Sequence, residues 1–204
     1  MELYSVSGTT HRTTLRDYIE LMKPQTSAML IIPAIAALFV STGVDGPSLS
    51  EVIAVFIGGL LAIGGANALN SYLDLDADAL MNQTRNRPLP SGRVSNHNAL
   101  NLGIALNAAA FIILTLGANL LSAVLALFGT IYYIMAYTKW IKRRTTHNAS
   151  FAAVAWAIPV LVGWAAATGG LSLEVLVFFG IILYWAPPYY WCQGVIYRRE
   201  YKRA

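Results

Sequence analysis

The chain has 204 residues, of which 56% are hydrophobic and 12% are charged, and it carries a formal net charge of +4 and one cysteine, Cys192. This composition excludes an ordinary soluble domain, for which it is too apolar, and the single cysteine excludes an intrachain disulfide and most zinc sites. The positive charge does not indicate a nucleic-acid partner, because basic loops beside membrane spans carry topology information and attract anionic membrane lipids.

Six apolar stretches are long enough to cross a bilayer as helices. In chain order they are residues 26–44, 52–73, 99–118, 120–141, 150–168 and 171–196. The short break at residues 117–119, between the third stretch and the fourth, predicts a tight helical hairpin. The first 20 residues are polar and lack the apolar core of a signal peptide. The sequence therefore predicts an all-α, polytopic membrane helix bundle, residues 26–204, after an N-terminal segment, residues 1–25.

The basic residues form four clusters, which the six predicted spans place on one side of the membrane. The clusters are Arg12, Arg16 and Lys23; Arg85, Arg87 and Arg93; Lys139, Lys142, Arg143 and Arg144; and Arg198, Arg199, Lys202 and Arg203. The loops on the opposite side, around residues 45–51, 117–120 and 168–174, contain no Lys or Arg. The positive-inside rule then predicts a multi-pass protein of the plasma or inner membrane, with both ends and all basic loops in the cytoplasm.

Three oxygen-bearing side chains stand four residues apart at the end of the second stretch: Asn70, Asp74 and Asp78, which we call the ladder. Steps of four residues place them on one face of a helix. Carboxylates beside an apolar span are costly and usually mark a functional site. Hard oxygen ligands suit Mg²⁺, which readily shares its coordination shell with phosphate. We therefore predict Asn70, Asp74 and Asp78 as Mg²⁺ ligands and the two aspartates as catalytic, whereas Asp76, about 200° away around the helix, is a solvated carboxylate.

Two basic loops supply groups that could bind the phosphate. The first, residues 81–92, contains Arg85 and Arg87, and the second contains Tyr137, Lys142 and Arg143. A Mg²⁺–diphosphate satisfies both sets of charges, because carboxylates hold the metal and basic groups hold the phosphate oxygens. Direct pairing of the arginines with the aspartates is the alternative for the first loop, and a simple interfacial anchor is the alternative for the second. We disfavour direct pairing because the arginines lie beyond the helix, free to reach another anion.

These motifs resemble the signatures of the UbiA superfamily of intramembrane prenyltransferases. The first signature combines the ladder with Met81-x2-Thr84-x2-Arg87-Pro88-Leu89. Other elements resemble the protoheme IX farnesyltransferase branch most closely: Leu21-Met22-Lys23-Pro24, the loop 137–148, Pro159-x3-Gly163-Trp164 and Trp185-x-Pro187-Pro188-x2-Trp191. The likeness runs from about residue 18 to residue 204.

The resemblance implies a specific reaction. Members of that branch bind farnesyl diphosphate through Mg²⁺, and the diphosphate leaves. A vinyl group of haem B then attacks the resulting allylic cation, and water adds to complete the hydroxyethylfarnesyl side chain of haem O. Metal and basic residues compensate the charge on the leaving group. Aromatic faces can stabilise the cation, and Tyr72, Tyr137 and Trp140 are candidates for this role or for an interfacial aromatic belt.

The sequence departs from the pattern of the branch in three respects. Tyr189 stands where the branch usually has a histidine after the Pro-Pro pair, and Glu200 alone remains of a second acidic site. The superfamily is expected to have about nine membrane helices, and this sequence contains six. We therefore expect a C-terminally truncated member, for which an inactive fragment is one alternative to a working enzyme.

Two other functions remain open at the level of sequence. A UbiA-type transferase acting on an aromatic acid or a lipid precursor fits the first signature equally well. A small ion carrier or channel could use Asp74 and Asp78, although both lie at a membrane edge and the predicted spans carry no charge through their centres.

Overall fold

The computed structural model describes residues 13–142, 144–145 and 148–198, and every regular element within these ranges is a helix. In chain order the helices are α1 Leu15–Leu21, α2 Pro24–Thr42, α3 Leu49–Leu73, α4 Leu75–Leu80, α5 Asn96–Gly117, α6 Leu120–Ile141, α7 Asn148–Thr168 and α8 Leu173–Ile196. Two of them contain π-helical stretches, Ala54–Gly58 in α3 and Tyr132–Ile141 in α6. The predicted all-α fold is confirmed.

Six helices in the described part of the chain are long and apolar enough to cross a membrane, namely α2, α3, α5, α6, α7 and α8. They correspond one to one with the six predicted stretches, and their ends differ from the predicted ends by at most three residues. The predicted hairpin is also present, because α5 ends at Gly117 and α6 begins at Leu120.

Polar caps fix where these apolar helices begin. At the start of α3, the Ser48 hydroxyl accepts a hydrogen bond from the Glu51 amide, and the Glu51 carboxylate accepts one from the Ser48 amide at 2.8 Å. Asn119 caps α6 by accepting from the Ser122 amide at 2.9 Å, and its side-chain amide donates to the Ala165 carbonyl of α7 at 2.7 Å. The α5–α6 turn is therefore fixed both to its own helix and to a neighbouring one.

Small residues allow the closest helix contacts. In lipid, the hydrophobic effect does not drive helices together, so close backbone approach and van der Waals packing contribute more. α7 lies at the centre, packed against α2, α6 and α8, while α3 packs against α5. Gly163 of α7 lies directly against the Ala34 carbonyl of α2, and Gly65 of α3 faces Gly103 of α5.

Helix α1 is fastened to the loop before α5 by one arginine. The Arg93 guanidinium donates to the Asp17 carboxylate at 2.5 Å, to Glu20 at 3.3 Å and to the Asn86 carbonyl at 2.8 Å. Hydrogen bonds from Thr14 and the nearby charge of Arg93 hold the pKa of Asp17 below its ordinary value. Arg93 therefore has a structural role.

Replacing Arg93 should loosen α1. We expect Arg93→Gln to speed amide hydrogen exchange in residues 15–21 several-fold, since the helix loses its main tie to the loop. Arg16→Gln, an exposed change on the same helix, should leave exchange unchanged. Because the folded-state pKa of Asp17 is depressed, this contact is present at neutral pH and is lost only as pH falls through that lowered value. Equal exchange in both variants at neutral pH would contradict this role.

Candidate active site

The ladder spans a break between two helices. α3 ends at Leu73, Asp74 has non-helical torsion angles (φ −94°, ψ 10°), and α4 begins at Leu75. The i to i−4 hydrogen bonds nevertheless continue, from the Asp74 amide to Asn70 at 2.9 Å and from the Asp78 amide to Asp74 at 2.8 Å. The prediction of one uninterrupted helix is therefore wrong at Asp74. The expected alignment survives, because all three ladder residues line the same cavity.

That cavity has a volume of about 730 Å³ and two chemically different parts. One end carries the ladder together with basic residues from three different segments, Lys23, Arg87 and Lys142. The rest of the wall is mostly aliphatic and aromatic and is supplied by α2, α3, α6, α7 and α8. A cavity of this size with a few convergent polar groups is typical of a small-molecule site.

Asp74 is the most enclosed acid of the ladder, with 3% of its surface exposed. Its Oδ2 accepts hydrogen bonds from the Lys142 ammonium at 2.6 Å and from the Asn70 side-chain amide at 2.8 Å. The same Asn70 amide group also donates to the Thr138 hydroxyl at 3.2 Å. The second basic loop therefore reaches the ladder directly, through α6.

Asp78 is paired with the first basic loop. Arg87 donates to both carboxylate oxygens, at 3.0 and 3.2 Å, and the Thr84 hydroxyl donates to the Asp78 carbonyl at 2.6 Å. The turn that follows α4 folds back because the Arg87 amide bonds to the Thr84 carbonyl at 2.9 Å. Direct Arg–Asp pairing, which we disfavoured from the sequence, is therefore present at Arg87, because the turn brings this side chain back to the helix that it follows.

Lys23 is a site residue that sequence reasoning did not select. Its ammonium donates to Asn70 Oδ1 at 2.8 Å. Its backbone has a positive φ of 50°, which residues other than glycine rarely adopt. Burial lowers the pKa of Lys23 to about 8, and the positive charges of Arg87 and Lys142 act in the same direction. An anion in the cavity would stabilise this ammonium. The sequence feature that could have indicated Lys23 is its position immediately before Pro24, the first residue of the first span.

The π-helical end of α6 turns several groups toward the cavity. In its wider turn, the Lys142 amide donates a hydrogen bond at 2.8 Å to the carbonyl of Tyr137, five residues earlier. The Thr138 hydroxyl likewise bonds to the Tyr133 carbonyl at 2.8 Å, and the Tyr133 and Tyr137 rings stack at 5.6 Å. Lys142 consequently lines the cavity together with Tyr133 and Tyr137. The ordinary α-helical period would place Tyr133 and Tyr137 on one face but would turn Lys142 away from it.

Three clustered aromatic residues of α7 and α8 form part of the cavity wall. Trp156 of α7 lies 5.0 Å from the Tyr190 ring and 5.4 Å from the Tyr189 ring, both of α8, and all three residues line the cavity. Tyr189, the departure from the family pattern, therefore lies in the site. Trp156 and Tyr190 were not predicted, although the Trp-Pro-Pro element signalled that this part of α8 is unusual.

Several predicted residues lie elsewhere. Arg85 is exposed, and Tyr72 and Trp140 are likewise outside the set of described residues that line the cavity. Trp140 is instead exposed, with the Arg144 guanidinium over its ring, 5.9 Å from the ring centre. Arg143 and Glu200 lie outside the described residues, so their proposed roles stay predictions.

The donor set fits a metal that arrives with phosphate. Within the described residues there is no group of three or more His, Cys, Asp or Glu side chains able to hold a metal ion. The ladder still provides two buried carboxylates at one end of the cavity. Mg²⁺ is commonly bound by one or two carboxylates together with substrate phosphates, rather than by an all-protein cage. The Asn70 oxygen, which accepts from Lys23, is already engaged.

The model of the UbiA prenyltransferase family matches residues 30–204. The chain belongs to this family. It is 45% identical over 190 residues to a protoheme IX farnesyltransferase of Roseiflexus sp. and 41% identical over 190 residues to one of Symbiobacterium thermophilum. Each match covers 93% of the chain, which spans 35% and 63% of the length of these two relatives.

A solved UbiA homologue from Archaeoglobus fulgidus, bound to DMAPP and Mg²⁺, has the same fold. The two structures align with a TM-score of 0.77 at 16% identity, over 92% of this chain and 66% of that one. UbiA membership and the six apolar helices together identify a multi-pass membrane protein.

Proposed function

We propose that this chain forms the prenyl diphosphate site of a protoheme IX farnesyltransferase, which transfers farnesyl from farnesyl diphosphate to haem B and yields haem O. The observation that carries the proposal is the two-part cavity: buried acids and convergent cations at one end, apolar and aromatic walls beyond. The identity to relatives named protoheme IX farnesyltransferase supports the choice of reaction.

The polar end has the charges that a diphosphate and its metal require. Asp74 and Asp78 would hold Mg²⁺ together with Asn70, and the metal would supply compensation for charge on the leaving diphosphate. Lys142 and Arg87 would bind the phosphate oxygens, Arg87 through its forked guanidinium. Lys23 adds a third cation to the same end of the cavity. We retain Arg85, Arg143 and Tyr137 as predicted diphosphate contacts and Glu200 as a possible second acidic site.

The apolar part would hold the isoprenoid chain and keep water from the reacting carbon. Aliphatic residues such as Leu30, Ile63 and Val162 line it. The rings of Tyr133 and Trp156 lie along the walls, where an aromatic face would stabilise an allylic cation. The walls would thus bind and orient the isoprenoid chain and exclude water, tasks for which a preformed cavity is well suited.

A second acceptor class is less well supported. An aromatic acid or lipid precursor would need the same diphosphate site, but the relatives reported above are named for haem B chemistry. The ion-carrier alternative is disfavoured because the charges that line the cavity gather at one end of the helices. Three points stay predictions. They are the cytoplasmic orientation of that end, the location in the plasma or inner membrane, and the division between the N-terminal segment and the membrane bundle at residue 25.

A transfer assay tests the proposal. Membranes containing the chain, supplied with farnesyl diphosphate, haem B and Mg²⁺, should form haem O, and chelation of the metal should abolish the product. Turnover of 4-hydroxybenzoate in place of haem B would instead identify the aromatic-acid class. Failure to bind farnesyl diphosphate at any Mg²⁺ concentration would contradict both readings.

A further inference from the structure

Both acids of the ladder are already neutralised by cations of the protein itself. Lys142 lies 2.6 Å from Asp74, and Arg87 lies 3.0 Å from Asp78. The carboxylates are buried, whereas the side chains of Lys142 and Arg87 are 35% and 38% exposed. The cations are therefore the partners with room to move.

This pairing makes the site unfavourable for a bare metal ion. The described residues that line the cavity include three cations, Lys23, Arg87 and Lys142. They also include three carboxylates, the buried Asp74 and Asp78 and the exposed Asp76, so the charges balance. A divalent cation approaching the ladder would have to displace an ammonium or a guanidinium. The displaced groups would then lie near the metal without an anion, which is costly in a partly desolvated site.

A diphosphate removes this obstacle. Its oxygens accept hydrogen bonds from ammonium and guanidinium groups in place of the carboxylates, and the planar fork of arginine suits phosphate as well as it suits carboxylate. Once Lys142 and Arg87 have moved to phosphate, the oxygens of Asp74 and Asp78 are available for the metal, which also binds phosphate.

We propose that Lys142 and Arg87 are exchangeable counter-ions: they pair with Asp74 and Asp78 until a diphosphate binds, and they transfer to the diphosphate as the metal enters. The inference rests on the proposed function and deepens it. Metal alone binds weakly, diphosphate and metal bind cooperatively, and by linkage each increases the affinity for the other by the same factor. The site thereby admits the metal together with a ligand that carries phosphate.

A purely structural role for these ion pairs makes a different prediction. If Lys142 only held α6 to the ladder, its removal would lower the affinity for metal and the affinity for diphosphate together. If it is a counter-ion that competes with the metal, its removal frees Asp74, so affinity for metal alone rises while affinity for diphosphate falls. Only exchange predicts that the affinity for metal alone and the affinity for diphosphate change in opposite directions.

The test is a titration with Mn²⁺ as the probe, read from the free Mn²⁺ electron paramagnetic resonance signal, on the chain in lipid nanodiscs. Binding of radiolabelled inorganic pyrophosphate is measured in parallel. We expect Lys142→Met to bind Mn²⁺ alone roughly 10-fold more tightly than the wild type, within the usual range of coupling between two ligands, and to bind pyrophosphate more weakly. Arg87→Gln should likewise raise the affinity for Mn²⁺ alone and lower the affinity for pyrophosphate.

Two controls keep the result interpretable. Lys139→Met, an exposed change on the same helical stretch, should match the wild type in both measurements. Lys142→Arg keeps the charge and should restore weak binding of metal alone, which separates exchange from damage to the fold. Thermal unfolding of each variant identifies any that is misfolded.

The outcomes separate this inference from the proposed function. Tight Mn²⁺ binding by the wild type without pyrophosphate, lost in Asp74→Asn, would overturn the exchange while leaving a metal site in place. A loss of both affinities in a folded Lys142→Met, with Lys142→Arg normal, would overturn it as well. No binding of pyrophosphate to the wild type with any metal would overturn the proposed function itself.

Discussion

Asp74→Asn should abolish metal-dependent diphosphate binding and reduce farnesyl transfer by roughly 10²–10³-fold, the range typical of losing one preorganised charge-stabilising group. The substitution keeps the shape of the side chain but removes the charge that faces Lys142 at 2.6 Å. It also places two amides side by side, since the Asn70 amide donates to the same oxygen at 2.8 Å. The metal site is therefore lost, and the hydrogen bonds that reach this oxygen lose the strengthening that the carboxylate charge gives them.

The matched control is Asp76→Asn, the same substitution two residues along the chain. Asp76 is exposed at the rim of the cavity, whereas Asp74 is buried beneath it. We expect Asp76→Asn to retain most of the binding of farnesyl diphosphate measured with Mg²⁺ in nanodiscs. Normal binding by Asp74→Asn, or equal losses in the two variants, would remove the ladder from the proposed site.

Gly163→Ala should destabilise the bundle more than any other single methyl addition to a helical glycine. A β-carbon at residue 163 would overlap the carbonyl oxygen of Ala34 and lie 2.7 Å from its carbonyl carbon. Because the obstacle is backbone, it cannot rotate away, and α2 and α7 must separate. Overpacking of this kind costs about 1–3 kcal/mol and sometimes more. α2 and α7 both contribute to the cavity wall, so farnesyl diphosphate binding should weaken as well.

Gly180→Ala provides the comparison. Gly180 lies in α8, and a β-carbon there meets nothing within 4 Å. The thermal unfolding midpoint of Gly180→Ala in detergent, followed by circular dichroism, should equal or slightly exceed that of the wild type, because alanine favours helix over glycine. A Gly163→Ala protein as stable as Gly180→Ala would show that the helices at Ala34 can separate at no cost.

The architecture of the membrane helices was largely predictable. Apolar length and turn-forming breaks are local properties of the sequence, and in a bilayer an apolar stretch of this length has few alternatives to a helix. That is why the hairpin at residues 117–119 and all six spans were predicted with small errors at the ends. The ladder was predictable for a related reason, since buried carboxylates at a fixed spacing are expensive and therefore informative.

The fine geometry of the site was not predictable from local pattern. The break at Asp74 and the π-helical turn before Lys142 change which residues face the cavity, and neither has a reliable sequence signature. Arg87 returns to Asp78 through a turn whose path depends on hydrogen bonds between loop residues. Trp156 meets Tyr189 and Tyr190 only because α7 packs against α8.

By itself, the sequence determined that this chain carries six helical membrane spans in the part that the structure describes, together with an acidic ladder and basic loops, because hydropathy and charge spacing act along the chain. Only the tertiary structure decided which cation meets which ladder residue: Lys142 reaches Asp74, Arg87 reaches Asp78, and Lys23 reaches the Asn70 amide oxygen. These pairings join residues up to 68 positions apart. They depend on the packing of helices in space, which no local period encodes.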